Sequence, residues 1–140
     1  MCYEIYIALD KPLKTIHWDE KNRKLNVNKI DPKDEIIRKT FSKPHIYFIG
    51  SHLKCGCGFF YESSLTPDCD EREVARQVNQ SQDELKEYIR QSLGKSKEIE
   101  LYVSWEGEKD KGPLKTIRLT DKDVERHFNL EERHFYRIKK

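Results

Sequence analysis

His45-Ile46-Tyr47-Phe48-Ile49-Gly50-Ser51-His52-Leu53-Lys54-Cys55-Gly56-Cys57-Gly58-Phe59-Phe60-Tyr61 sets two apolar runs on either side of a short polar, glycine-rich centre. This pattern predicts a β-hairpin, with a rising strand, a connection at Leu53-Lys54 and a descending strand. Opposed residues of an antiparallel pair share a face, and faces alternate along each strand. In that register His52 stands opposite Cys55 and Gly50 opposite Cys57, so His52, Cys55 and Cys57 project from one face. The other face carries Ser51, Gly56 and Gly58. Primed two-residue turns favour Asn-Gly, Asp-Gly or a leading glycine, and Leu53-Lys54 supplies none of these. A wider loop, or a bulge at Gly56, rotates one cysteine off the shared face.

This hairpin gathers the chemistry of the chain. Residues two apart on a strand are separated by about 6.5 Å, and thiolates on one face can turn toward one ion with bonds of about 2.3 Å. His52 adds an imidazole nitrogen, and Cys69 is placed to close the site from the following loop. The expected ligand set is therefore His52, Cys55, Cys57 and Cys69, and the expected ion is zinc. A disulfide between Cys55 and Cys57 is harder, because their separation lies near the upper limit for bridged residues. The paired Cys-x-x-Cys knuckles of a typical zinc site are absent. Two other readings stay open. A thiol-based redox or sulfur-transfer enzyme would use Cys55 ionised beside His52 and Lys54. Alternatively both cysteines are small buried hydrophobes, the glycines admit a close neighbour, and the protein is a non-catalytic interaction domain. The fourth cysteine, Cys2, would be an N-terminal nucleophile if Met1 were removed.

Outward from the hairpin, Cys2 to Leu9 reads as a strand with apolar residues on both faces, fit for a central position. Thr15 to Trp18 and Leu25 to Asn28 read as short strands. Asp31-Pro32 opens a helix that carries Ile36, Ile37, Thr40 and Phe41 on one stripe and stops at Lys43-Pro44. Residues 62–80 have loop composition, with a turn or two of helix over Glu71 to Val78. Ser81-Gln82-Asp83-Glu84 matches a capping box, predicting a helix from about Gln82 to Leu93 that packs through Leu85, Ile89 and Leu93. Gly94 suits a left-handed cap. Glu98 to Glu106 is a strand, Gly107 to Gly112 a charged loop, and Leu114 to Leu119 a strand expected to pair back on its predecessor. Thr120-Asp121-Lys122-Asp123 opens a short helix, and Phe135 to Ile138 forms a last strand. Trp18 and Trp105 read as aromatic anchors at sheet edges.

The chain has 140 residues, which suits a single domain spanning 1–140. It is 37% charged, yet seven Tyr, six Phe and two Trp place it outside the aromatic-poor compositions of disordered chains. No run approaches the roughly 18 apolar residues of a membrane span, and the first residues do not form a signal peptide. The expectations are no membrane partner and a cytoplasmic location. Eleven Lys and Arg face seven Asp and Glu in residues 1–60, and 16 face 18 in the rest, which argues against a nucleic-acid footprint. Phosphate-binding loops, nucleophile elbows and His-Glu-x-x-His helices are missing. The order of elements predicts an α+β fold, a mostly antiparallel sheet with three or four helices packed mainly on one face.

Overall fold

A computed structural model describes residues 2–140. Six strands form one sheet: β1 (Tyr3–Leu9), β2 (Asn26–Lys29), β3 (His45–Gly50), β4 (Glu98–Trp105), β5 (Lys115–Thr120) and β6 (His134–Lys139). Their order across the sheet is β2-β3-β1-β4-β6-β5. All neighbours run antiparallel except β5 and β6, which are parallel. Three α-helices join them: α1 (Tyr61–Ser64), α2 (Glu71–Leu93) and α3 (Asp121–Arg126). Two 3-10 segments, Pro32–Thr40 and Gly56–Phe59, complete the α+β fold.

The two-faced apolar pattern of β1 has its expected consequence. Ile5, Ile7 and Leu9 join Tyr47, Ile49, Ile99, Leu101 and Val103 on the face that α2 covers through Leu85, Ile89 and Leu93. Tyr6 and Ala8 point the other way, into a second layer with Ile46, Tyr102, Phe135 and Ile37. Ile37 comes from the Pro32–Thr40 segment, which is 3-10 rather than α-helical. Asp31 makes no side-chain cap there, so the expected stabilisation of an α-helical start is missing. Side-chain ion pairs hold this layer instead. Glu100, fully buried, accepts from Ser42 N (2.9 Å), Ser42 Oγ (2.7 Å), Lys43 N (3.0 Å) and Arg137 Nη1 (2.8 Å). Lys109 bridges Glu4, at 2.9 Å, and Asp34. A buried carboxylate is tolerable when its lone pairs are satisfied in this way.

Four expectations are corrected. The capping box at Ser81 does not start a helix: α2 runs unbroken from Glu71 to Leu93, and Asp70 caps it by accepting from Arg72 N. No Gly or Pro interrupts 71–93, so the helix propagates through the polar stretch. Gly94 caps it with right-handed dihedrals, φ −69° and ψ −21°. β5 does not pair back on β4. Helix α3, opened by a true Thr120/Asp123 capping box, returns the chain so that β6 inserts between them, antiparallel to β4 and parallel to β5. Thr15 to Trp18 contributes only a bridge from Ile16 to Val27.

Ile89 is 1% exposed, in the middle of the α2 stripe. Ile89→Ala is therefore expected to cost about 2–5 kcal/mol in a denaturant titration. A loss below about 0.5 kcal/mol, the scale of surface substitutions, would place Ile89 outside the core.

Candidate metal centre

The descending strand of the expected hairpin does not form, and the turn is wider than the expected two-residue connection at Leu53-Lys54, so that Ser51 rather than His52 stands opposite Cys55. Lys54 N donates to Ser51 O at 2.9 Å and Ser51 N to Cys55 O at 2.8 Å. Lys54 takes the left-handed region at φ 74°. This is the pattern of a three-residue hairpin loop, in which the last loop residue has positive φ and the strand bulges. After Cys55 the chain winds into the 3-10 turn Gly56–Phe59 instead of extending along β3.

Close packing explains the turn-in. A Cβ on Gly56 would lie 2.7 Å from the Tyr3 carbonyl oxygen, and one on Gly58 would lie 2.1 Å from Ser51 Oγ. The loop thus folds down onto the start of β1 and onto its own neck, where only a hydrogen fits. The reading in which the glycines admit a close neighbour holds at both positions.

Polar ties fix the loop from every side. Fully buried Asn26 donates from Nδ2 to the carbonyls of Ser51 (3.3 Å) and Lys54 (3.5 Å). The Trp18 indole donates to the His52 carbonyl at 3.0 Å. Ser63 and Ser64 of α1 both donate from Oγ to the Cys57 carbonyl, at 3.0 and 3.1 Å. His52 turns inward and places Nδ1 2.6 Å from Ser81 Oγ, in the middle of α2. Ser81 is thus the polar member of a buried helix stripe, and His52 is what it meets.

Three thiols converge beneath this loop. Among the described residues, Cys2, Cys55 and Cys57 form the single group of three or more potential ligand residues close enough to hold an ion, with their Sγ atoms all within 4.8 Å of one another. Three thiolates on a tetrahedral zinc stand about 3.8 Å apart, from bonds of about 2.3 Å. A contraction of about 1 Å or less therefore closes the group on an ion. Hydrogen bonds hold two of the three in place. Glu106 N donates to Cys2 O at 2.9 Å, and Cys2 N donates to Glu106 Oε2 at 3.1 Å. Tyr3 N donates to Cys57 Sγ at 3.3 Å, a contact that favours the thiolate.

Of the residues expected from the sequence, Cys55 and Cys57 meet, and His52 and Cys69 lie outside the group. Cys69 Sγ accepts from Thr66 N at 3.3 Å, inside its own loop. Cys2 was missed as a member of this group. The β1–β3 register, Ile5 opposite Ile49, carries Cys2 level with the loop, but that register is a tertiary fact with no mark in the chain. Met1, on which the N-terminal-nucleophile reading depends, lies outside the described residues.

Burial is the largest influence on all three clustered thiols and raises the pKa of each, while their contacts with one another act in both directions, one neighbour raising and another lowering each thiol. The metal-free cluster is therefore protonated at neutral pH. Burial, then the Arg23 charge, lowers the pKa of His52, so its imidazole is neutral and forms no ion pair with Cys55. Comparison of the chain with protein-family models, curated proteins and solved structures finds no match.

Two outcomes follow for the loop. Gly56→Ala drives a methyl against backbone that cannot swing aside, and should lower stability by about 1–3 kcal/mol in chemical denaturation. A neutral effect would show that the loop does not sit on Tyr3. The depressed pKa of His52 also makes stability depend on pH. Above about 6.5 the imidazole is neutral folded and unfolded alike. Below it, the unfolded chain takes up a proton that the folded state resists, so stability falls with pH. Denaturation midpoints should drop below pH 6.5, and His52→Gln should flatten that part of the profile.

Proposed function

We propose that this protein binds one zinc ion through Cys2, Cys55 and Cys57. The convergence of three thiols from two distant segments within 4.8 Å carries this reading. Soft sulfur donors select thiophilic ions over magnesium or calcium. The raised thiol pKa values support the reading over thiol catalysis, because a nucleophile needs its thiolate without help and these thiols need a cation to ionise. Within this reading Cys2 takes the place expected for His52 and Cys69, since His52 Nδ1 meets Ser81 Oγ and Cys69 Sγ accepts from Thr66 N. Three protein ligands leave a fourth tetrahedral position for water or an exogenous donor, the arrangement of open rather than closed zinc sites.

Protein purified without an affinity tag and supplemented with zinc should carry about one equivalent by elemental analysis. Cys2→Ser, Cys55→Ser and Cys57→Ser should each bring that close to zero, because a hydroxyl does not replace a thiolate. Cys69→Ser and His52→Ala should keep the metal. Three protonated thiols must ionise on binding, so affinity should rise steeply with pH, with proton release seen in weakly buffered titrations. Free zinc at 100 times its Kd should add about 2.7 kcal/mol of stability. Wild-type stoichiometry near zero after supplementation would end the proposal.

A further inference from the structure

A cleft of about 450 Å³ opens where β1, β4, α1 and α2 meet the segment after α3, a volume within the range of small-molecule sites. Six of its twelve lining residues are aromatic, against 11% of the chain, so the rings are concentrated here. Tyr3 stacks on Phe60 with centroids 4.2 Å apart, and Trp105 meets Tyr3 edge-on at 4.7 Å and 78°. The walls therefore present rings in two orientations. All three of these side chains are only half-buried, in contrast to the fully buried aromatics of the second layer, such as Tyr6 and Tyr102.

The charge around these rings has one sign. The chain has 27 Lys and Arg, yet among the described residues none lines the cleft, and the one charged wall residue is Glu62. Glu132 adds a second negative charge that acts on the Tyr3 phenol. Aromatic faces carry the negative end of the ring quadrupole and attract cations, most strongly where water is partly excluded. Polar groups are also free to orient a guest. The Trp105 indole N–H, the Tyr61 hydroxyl and the Asn129 side chain have no hydrogen-bond partner among the described residues.

We propose that this cleft binds a small organic cation with an alkyl shell, of the quaternary-ammonium class, held against Tyr3, Phe60 and Trp105 and balanced by Glu62. An anion would meet a carboxylate with no basic partner. A neutral guest of the same shape would fill the volume but gain nothing from the ring faces or from Glu62. The proposal is independent of the metal centre, although Tyr3 follows Cys2 and Phe59 stands two residues after Cys57.

The test is calorimetric titration with choline, run beside its uncharged carbon analogue 3,3-dimethylbutan-1-ol and the anion benzenesulfonate. Choline should bind saturably and about tenfold or more tighter than the neutral analogue, the scale of a partly desolvated cation–ring contact. In ¹H–¹⁵N spectra the Trp105 indole signal, assigned through Trp105→Leu, should move with choline. Glu62→Gln, an exposed and foldable change, should weaken choline severalfold and leave the neutral analogue unchanged. Cys57→Ser should bind choline normally, which separates this site from the metal centre. Equal affinity for the neutral analogue, preference for the anion, an unmoved Trp105 signal or no saturation at tens of millimolar would each overturn the proposal.

Discussion

β1 has apolar residues on both faces, and a strand of that kind must be covered twice. Helix α2 covers one side and the Pro32–Thr40 segment the other. Once β1 is central, β3 and β4 are its neighbours by register, and their ends converge with its beginning. Tyr3 lies opposite Trp105, the Cys2 carbonyl accepts from Glu106 N, and the loop after β3 descends on Tyr3. The thiol cluster and the aromatic cleft therefore arise at the same edge of the molecule from one burial requirement.

The loop bearing Cys55 and Cys57 is held by polar contacts more than by apolar packing. Asn26, Trp18, the α1 pair Ser63 and Ser64, and Ser81 reach it from four separate parts of the chain. Such contacts are directional, so they position backbone more closely than hydrophobic burial alone. The same ties leave His52 committed to α2, where burial keeps it neutral.

Burial and ionisation pull against each other at the cysteines. Taking thiols out of water raises their pKa, and the charge of a neighbouring thiolate raises it again. A divalent ion reverses both effects by supplying the countercharge that the protein omits. No lysine or arginine figures among the largest influences on the three thiols, and the one outside charge that does is Glu106, which raises Cys2 further. The cluster is matched to a cation and poorly matched to a free nucleophile.

Local pattern was enough for the strand periods of β1, β3, β4 and β6, the α2 stripe from Leu85 to Leu93 and the Thr120 cap, because each is written within a few residues. It also singled out Cys55-x-Cys57 and read Gly56 and Gly58 as sites of close approach. Long-range pairing decided the rest. Ser81 resembles a helix start because a serine followed by glutamate satisfies the capping pattern, yet a partner 29 residues away gives it a buried interior role. Leu114 to Leu119 looks like half of a hairpin, but the return through α3 lets β6 take the place beside β4. Cys2 carries no local mark of a ligand, and only the register of β1 against β3 brings it to the thiols 53 and 55 residues further along. Sequence spacing speaks for neighbours on one element, whereas a site assembled across elements depends on how the sheet is ordered, and that is settled by burying β1 on both faces.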